Sequence, residues 1–164
     1  MSKKIVVFGP DNSGKTTLVQ NIHDELPYFN KSHSLGPVSV EEMLRYTEDN
    51  LNSNEDFIFD RFPMIEEATC GYVLRGLNKF ENMLDKVLDC LERVDLFIYC
   101  DPGLAVIMNW GDREQMDGVK DNIGRLKMAY DGIYKTLLNI QCPVIRYNWK
   151  NDELDKIIER INSL

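Results

Sequence analysis

Gly9, Gly14, Lys15 and Thr16 stand in the order G-x-x-x-x-G-K-[ST]. Two glycines bounding such a loop let successive backbone N–H groups turn inward and cradle phosphate oxygens at the positive end of a helix. Lys15 can then reach terminal phosphates, and the Thr16 hydroxyl can ligate Mg2+. The cradle expected from this spacing is Gly9, Pro10, Asp11, Asn12, Ser13, Gly14, Lys15, Thr16 and Thr17. A second pair with chemical potential, Asp60 and Arg61, follows the apolar run Phe57, Ile58 and Phe59. A carboxylate at a strand end near the cradle can hold a metal-bound water or orient an attacking oxygen. The neighbouring guanidinium can clamp phosphate through two parallel hydrogen bonds. The third candidate, Arg113, lies among Asn109, Trp110, Gly111, Asp112, Glu114 and Gln115, a composition that suits a mobile segment over 109–118. Phosphoryl transfer is mostly positioning and charge stabilisation, and a closing arginine supplies both. The structural alternatives are a surface salt bridge for Asp60 and Arg61, and an exposed pairing of Arg113 with Asp112 or Glu114.

These groups need elements to position them. Ile5, Val6, Val7 and Phe8 are enough for one buried strand ahead of the loop, and Leu18, Val19, Ile22 and Leu26 recur at helical spacing behind it, up to Pro27. Strand, loop and helix thus arrive in the order a phosphate cradle requires. A weak strand is expected within 29–35. Ser39 with Glu42 forms a capping box, opening a helix that turns Val40, Met43, Leu44 and Leu51 inward and carries Arg45. Pro63 starts a helix running to about Leu77, with Arg75 near its end and Gly76 as its stop. Phe80, Met83, Leu84, Val87, Leu88 and Leu91 share one face and predict a core-packed helix. Residues 96–100 and 143–147 read as strands, Val119 to Leu137 as a long helix, and Leu154, Ile157, Ile158 and Ile161 as a terminal amphipathic one. The alternation predicts a parallel sheet of four or five strands with helices on both faces, in one α/β domain over 1–164.

Length and composition narrow the partners. The 164 residues, 43% of them apolar, suit a single core, and no apolar run approaches the ~20 residues of a membrane span. The start MSKK leads straight into a strand, so no signal peptide is read and a cytoplasmic location is expected. Cys70, Cys90, Cys100 and Cys142 show no C-x-x-C pairing and read as buried free thiols. His23 and His33 make no metal-ligand pair. A net charge of −8 disfavours DNA as a partner and favours a small anionic ligand gripped by a few arginines and backbone amides.

Four segments together resemble the thymidylate kinase-like nucleoside monophosphate kinases. GPDNSGKTT resembles that family's phosphate loop, with an acidic residue at Asp11. DRFPMIEEATCG resembles its D-R-[YF] motif and following helix, DLFIYCDP the strand before its lid, and DREQ the lid. The resemblance implies a three-layer P-loop kinase fold, ATP and Mg2+ as cofactors, and a lid at 109–118. Lys15 would hold the donor phosphates, with Thr16 and Asp60 as metal ligands. Asp11 would meet the acceptor's sugar, Arg61 would bridge phosphates, and Arg113 would neutralise charge on the transferred group. Arg45, Arg61, Phe62 and Arg75 join Asp11 as acceptor-binding candidates, Asn148 and Trp149 are candidates for an adenine shelf, and a homodimer is allowed.

One departure bears on the acceptor. The stretch from Lys15 to Asp60 is short for that family, and it lacks the arginine-bearing R-E-P-G-like loop; Gly36 and Pro37 stand there without the arginine. The expected reaction is ATP-dependent phosphorylation of a deoxynucleoside monophosphate, with thymidylate favoured. The alternatives are a hydroxyl acceptor, on a nucleoside or on a hydroxymethyl base in DNA, and a non-catalytic nucleotide switch. For the switch, the guanine-reading N-K-x-D motif is absent.

Overall fold

Every side chain of the strand that leads into the glycine loop is buried, which places that strand at the centre of the sheet. The computed structural model describes residues 1–164 apart from Ser34, Leu35, Pro37 and Asp112. Five parallel strands, β1 (Lys4–Phe8), β2 (Asn30–Ser32), β3 (Phe57–Asp60), β4 (Leu96–Cys100) and β5 (Val144–Tyr147), lie in the order β2-β3-β1-β4-β5. β1 pairs with β3 through Val7 against Asp60 and with β4 through Phe8 against Tyr99. The expected strand within 29–35 is confined to the three residues of β2 at the sheet edge; Ser34 and Leu35 lie outside the described residues.

Strict alternation along the strands sends side chains to two separate cores. Ile5, Val7, Ile58, Leu96 and Ile98 face helices α1 (Lys15–Glu25) and α8 (Leu154–Asn162), which contribute Leu18, Val19, Ile22, Ile157 and Ile161. Val6, Phe8, Phe59, Phe97 and Tyr99 face the other way, toward α2 (Val40–Asn52), α3 (Pro63–Glu66), α5 (Leu84–Glu92) and α7 (Ile123–Asn139). This second core is aromatic: Phe8 stacks on Tyr99 at 5.1 Å, and Phe62 meets Phe59 and Phe97 edge-on at 5.3 and 6.5 Å. Each such ring, fully buried, contributes about 1.5–3 kcal/mol.

Local sequence signals set most boundaries. α1 ends at Glu25, ahead of Pro27, and both hydrogen bonds of the Ser39–Glu42 capping box open α2. The helix expected from Pro63 to about Leu77 is instead three pieces, α3, a π-turn over Glu67–Gly71 and α4 (Tyr72–Arg75), ending at Gly76 in the left-handed region. The six-residue apolar face expected at 80–91 is also broken. Phe80 is buried ahead of the helix, while Leu84 at its first position is exposed. α5 begins too late for the whole stripe to share one helical face. A four-residue helix, α6 (Leu104–Ile107), follows β4. Segment 109–118 contains turns but no helix or strand among its described residues. All four cysteines are buried and free. Among the described residues no helix is long and apolar enough to cross a membrane.

Candidate active site

The chain leaves β1 toward one face of the sheet and leaves β3 toward the other, so a crevice opens beyond the carboxyl ends of these neighbours. The loop Gly9–Gly14 fills one side of it. Gly9 and Gly14 have φ of 148° and 91°. A Cβ on Gly9 would lie 2.5 Å from the Cys100 carbonyl oxygen, and one on Gly14 would lie 2.9 Å from the Trp149 ring. Conformation and close approach both demand glycine at these two places. Lys15 is only 4% exposed; its ammonium donates to the Pro10 carbonyl at 2.8 Å and stands 3.8 Å from Asp11 Oδ1.

β3 supplies the opposing side. The Thr16 hydroxyl donates to Asp60 Oδ2 at 3.1 Å, whereas buried Asp60 Oδ1 has no hydrogen-bond partner among the described residues. An orphaned carboxylate oxygen beside a threonine hydroxyl fits Mg2+, a hard cation that keeps few protein ligands and completes its shell with water and phosphate oxygens. Among the described residues no trio of His, Cys, Asp or Glu gathers as a closed metal cage.

Arg61 turns back toward the loop through a left-handed backbone at φ 76°, a conformation that costs on the order of 1 kcal/mol for a non-glycine residue. Its guanidinium is held by Asp11 Oδ1 at 3.0 Å and Glu66 Oε2 at 3.5 Å. Burial alone would lower the Arg61 pKa; the two carboxylates outweigh it and hold the guanidinium charged. Glu66 also accepts from the Tyr130 hydroxyl at 3.0 Å. Burial raises the Glu66 pKa against the pull of Arg61.

Two cavities meet at Arg61. The smaller, about 150 Å³, is lined by Asp11, Lys15, Thr16, Arg61 and Arg113 among others. Three cations against one carboxylate make it a local positive well in a chain of net charge −8. The larger, about 450 Å³, has Arg61, Glu66, Glu67, Cys70, Arg75 and Lys79 on its walls, with Met116 of the 109–118 segment at its rim. Here Arg75 Nη2 donates to both Glu67 oxygens at 2.8 and 2.9 Å. Burial pushes the Cys70 thiol up to about 11, so it is protonated at neutral pH and no nucleophile. On the far side of the loop, Trp149 and Trp110 line a cleft of about 540 Å³ with Gly14, Thr17 and Arg113.

The structure gathers Asp11, Lys15, Thr16, Asp60, Arg61 and Arg113 around one crevice, with Arg75 on the wall of the larger cavity. It does not gather every candidate. Phe62 is wholly buried between Phe59 and Phe97, so the expectation of a substrate contact is corrected to core packing. Arg45 is exposed on α2, outside the described lining of the larger cavity. Pro10 contributes its carbonyl to Lys15, and Ser13 is buried with no partner for its hydroxyl among the described residues. Asn148 spends its side-chain oxygen on the Lys150 N–H, whereas Trp149 lines the cleft. Asp112 lies outside the described residues.

Sequence reading missed Glu66, Glu67, Tyr130 and His33. Glu66 and Glu67 entered only as letters of the DRFPMIEEATCG segment, and Tyr130 only as part of the long helix. No spacing rule joins Arg61 to a tyrosine on α7. His33, 66% exposed, stands 3.6 Å from Asp60 Oδ2 and gave no signal beyond its residue type.

A scan of family models finds no match to this chain, and a search of curated proteins finds none either. Solved structures do match. Deoxyadenosine kinase from M. mycoides, determined with dCMP and dCDP, is 20% identical with a TM-score of 0.64, covering 98% of each chain. The YorR protein of Bacillus subtilis, in complex with phosphorylated GDP, is 18% identical with a TM-score of 0.73, covering 98% of this chain and 94% of that one. Thymidylate kinase from Candida albicans is 17% identical with a TM-score of 0.62, over 99% and 90%. The chain therefore has the α/β fold of P-loop kinases, with the five-stranded parallel sheet flanked by helices.

Proposed function

We propose that this protein is an ATP- and Mg2+-dependent kinase of the nucleoside and nucleotide class, and that its acceptor atom is a hydroxyl oxygen. The observation that carries the hydroxyl reading is the pairing of charges in the larger cavity. Arg61 is already met by Asp11 and Glu66, and Arg75 by Glu67. A dianionic phosphate seated there would face two carboxylates, with Lys79 as the further cation of the wall. Drawing either arginine away would leave a largely buried carboxylate unpaired, which is costly. An uncharged, hydroxyl-bearing group meets neither obstacle. The likeness to a deoxyadenosine kinase supports the same reading.

In this scheme Lys15 and the loop amides hold the donor phosphates, and Thr16 and Asp60 hold Mg2+, which supplies charge neutralisation across the phosphates. The acceptor oxygen attacks the terminal phosphorus as the bond to the ADP oxygen breaks, and the hydroxyl proton passes to an oxygen of the transferred phosphoryl group. Arg61 and Arg113 offset charge on the group in flight. Asp11 keeps Arg61 in place and has a second oxygen for a sugar hydroxyl.

Thymidylate as acceptor is favoured by one observation. Arg75 is half-exposed, and a guanidinium carries five donors, so it can meet a phosphate while its Nη2 stays on Glu67. The test is ADP release with ATP, Mg2+ and separate acceptors: deoxynucleosides, deoxynucleoside monophosphates, and DNA with or without hydroxymethyl bases. Turnover with free deoxynucleosides is expected. Turnover with thymidylate alone would reject the hydroxyl acceptor, and turnover with hydroxymethylated DNA alone would move that hydroxyl to a base. Slow ADP release that no acceptor accelerates would mark a switch.

A further inference from the structure

Asn12 occupies a variable position of the glycine loop, yet its side chain reaches four other residues. Nδ2 lies 3.2, 3.3 and 3.0 Å from the carbonyl oxygens of Val106, Ile107 and Asn109. Oδ1 accepts from Arg113 Nη1 at 2.6 Å. The orientation of the amide is fixed by chemistry, because a flipped group would set an acceptor against three carbonyls and a donor against a guanidinium. The carbonyls of Val106 and Ile107 lie at the end of α6 and that of Asn109 just beyond it. The Asn12 amide thus gathers the turn that leaves the helix, where Val106 O also accepts from the Asn109 N–H at 3.1 Å. The Asn12 backbone has φ 64°, a region that asparagine tolerates better than most residues.

Few other contacts tie Arg113 to the loop. Its own N–H bonds to Trp110 within the same segment, its side chain is exposed, and 109–118 has no helix or strand among its described residues. Nevertheless Arg113 already forms part of the wall of the phosphate-sized cavity with Lys15, Thr16 and Arg61. We propose that Asn12 is a positioning residue: it holds the base of the 109–118 segment to the phosphate loop and sets Arg113 over the cradle before any nucleotide arrives. A charged group placed in advance loses less freedom at the moment of transfer. The kinetic part of this proposal rests on the kinase reading.

Asn12→Gly removes the side chain while accepting the left-handed backbone, and Asn12→Ala removes the same contacts should the glycine variant fold poorly. In the nucleotide-free chain, tryptic cleavage after Arg113 is expected to quicken about 3-fold or more, with cleavage at sites distant from the loop unchanged. The rate constant kcat is expected to fall ~10-fold with the dissociation constant for ADP within about 3-fold. In an Arg113→Ala background the same substitution should change kcat by less than about 2-fold. Unaltered cleavage at Arg113, or losses that multiply in the double variant, would show Asn12 acting on phosphates or not at all and would overturn the proposal. Absence of turnover by the parent chain with every acceptor would sink the kinase reading instead, and the proteolysis would still decide whether Asn12 holds the segment.

Discussion

The two cavities that meet at Arg61 follow opposite plans. The phosphate-sized one draws most of its wall from a single run, residues 11–17, and carries three cations with one carboxylate. The larger one collects residues from α2, α3, the π-turn, α4 and the 109–118 segment, and each of its arginines is matched by a carboxylate. One is built to attract a polyanion. The other sets two glutamates against Arg61, Arg75 and Lys79, so its arginines are largely compensated and a ligand there meets a weaker field. The contrast makes charge removal the sharpest tool: it should be ruinous in the first cavity and mild in the second.

The largest effect is expected at the cradle. Lys15→Ala and Asp60→Ala should each lower kcat by ~10^3-fold or more in the ADP-release assay, with melting temperatures measured alongside to show that the sheet persists. Lys15 is the buried cation of the loop, and Asp60 is the carboxylate with an orphaned oxygen. If either variant retained a tenth of parent turnover, the positive well would be a binding feature and not the seat of transfer.

The same contrast explains what was legible in the sequence. The cradle is local: glycine positions, an apolar run and helical spacing all fall within residues 3–26, so pattern reading reaches it whole. Asp60 and Arg61 were also legible, because a short buried strand must deliver its last residues to the sheet's carboxyl edge. The larger cavity depends on contacts remote in sequence, such as Tyr130 on Glu66, and on a π-turn that no residue pattern announces. Phe62 shows the limit of arguing from type and neighbourhood. Phe62 points into the same core as Phe59, three residues earlier, because the left-handed turn at Arg61 breaks the alternation of the strand. Arg45, on an amphipathic helix, lies on its wet face. The strand count stayed open for a related reason: β2 is three polar residues paired at an edge, with no apolar run to mark it.

A middle-sized effect belongs to the donor side. Trp149 lies against Gly14 and lines the 540 Å³ cleft beside the loop, about half-exposed. A base stacked on such a ring gains roughly 1–3 kcal/mol, so Trp149→Ala should raise KM for ATP ~10-fold while kcat stays within about 2-fold. Inhibition by inorganic tripolyphosphate, which has phosphates and no base, separates two roles for the ring. If Trp149 is a shelf, tripolyphosphate is unaffected by the substitution. If tripolyphosphate weakens equally, the ring acts as a prop behind Gly14, and the donor base must be held elsewhere.

The smallest kinetic effect is expected at Arg75, and it bears most directly on the acceptor. Arg75→Ala deletes a cation from the larger cavity and leaves Glu67, 10% exposed, with the Lys79 N–H at 3.3 Å as its remaining side-chain partner among the described residues. Stability should fall by about 1–3 kcal/mol, because a largely buried carboxylate has lost its counter-charge. Glu67→Gln combined with Arg75→Ala should restore part of that loss by removing the charge itself. For a hydroxyl-bearing nucleoside, KM in the double variant should move by less than about 3-fold, since no charge on the acceptor ever met Arg75. Were the acceptor a monophosphate gripped by this guanidinium, the lost charge-assisted hydrogen bonds would be worth about 1.5–3 kcal/mol, a rise in KM of roughly 10- to 150-fold. A rise of that size, with stability restored, would end the distinction drawn between the two cavities. Both would then be phosphate sites, with Glu67 serving only to hold Arg75 in place for the acceptor.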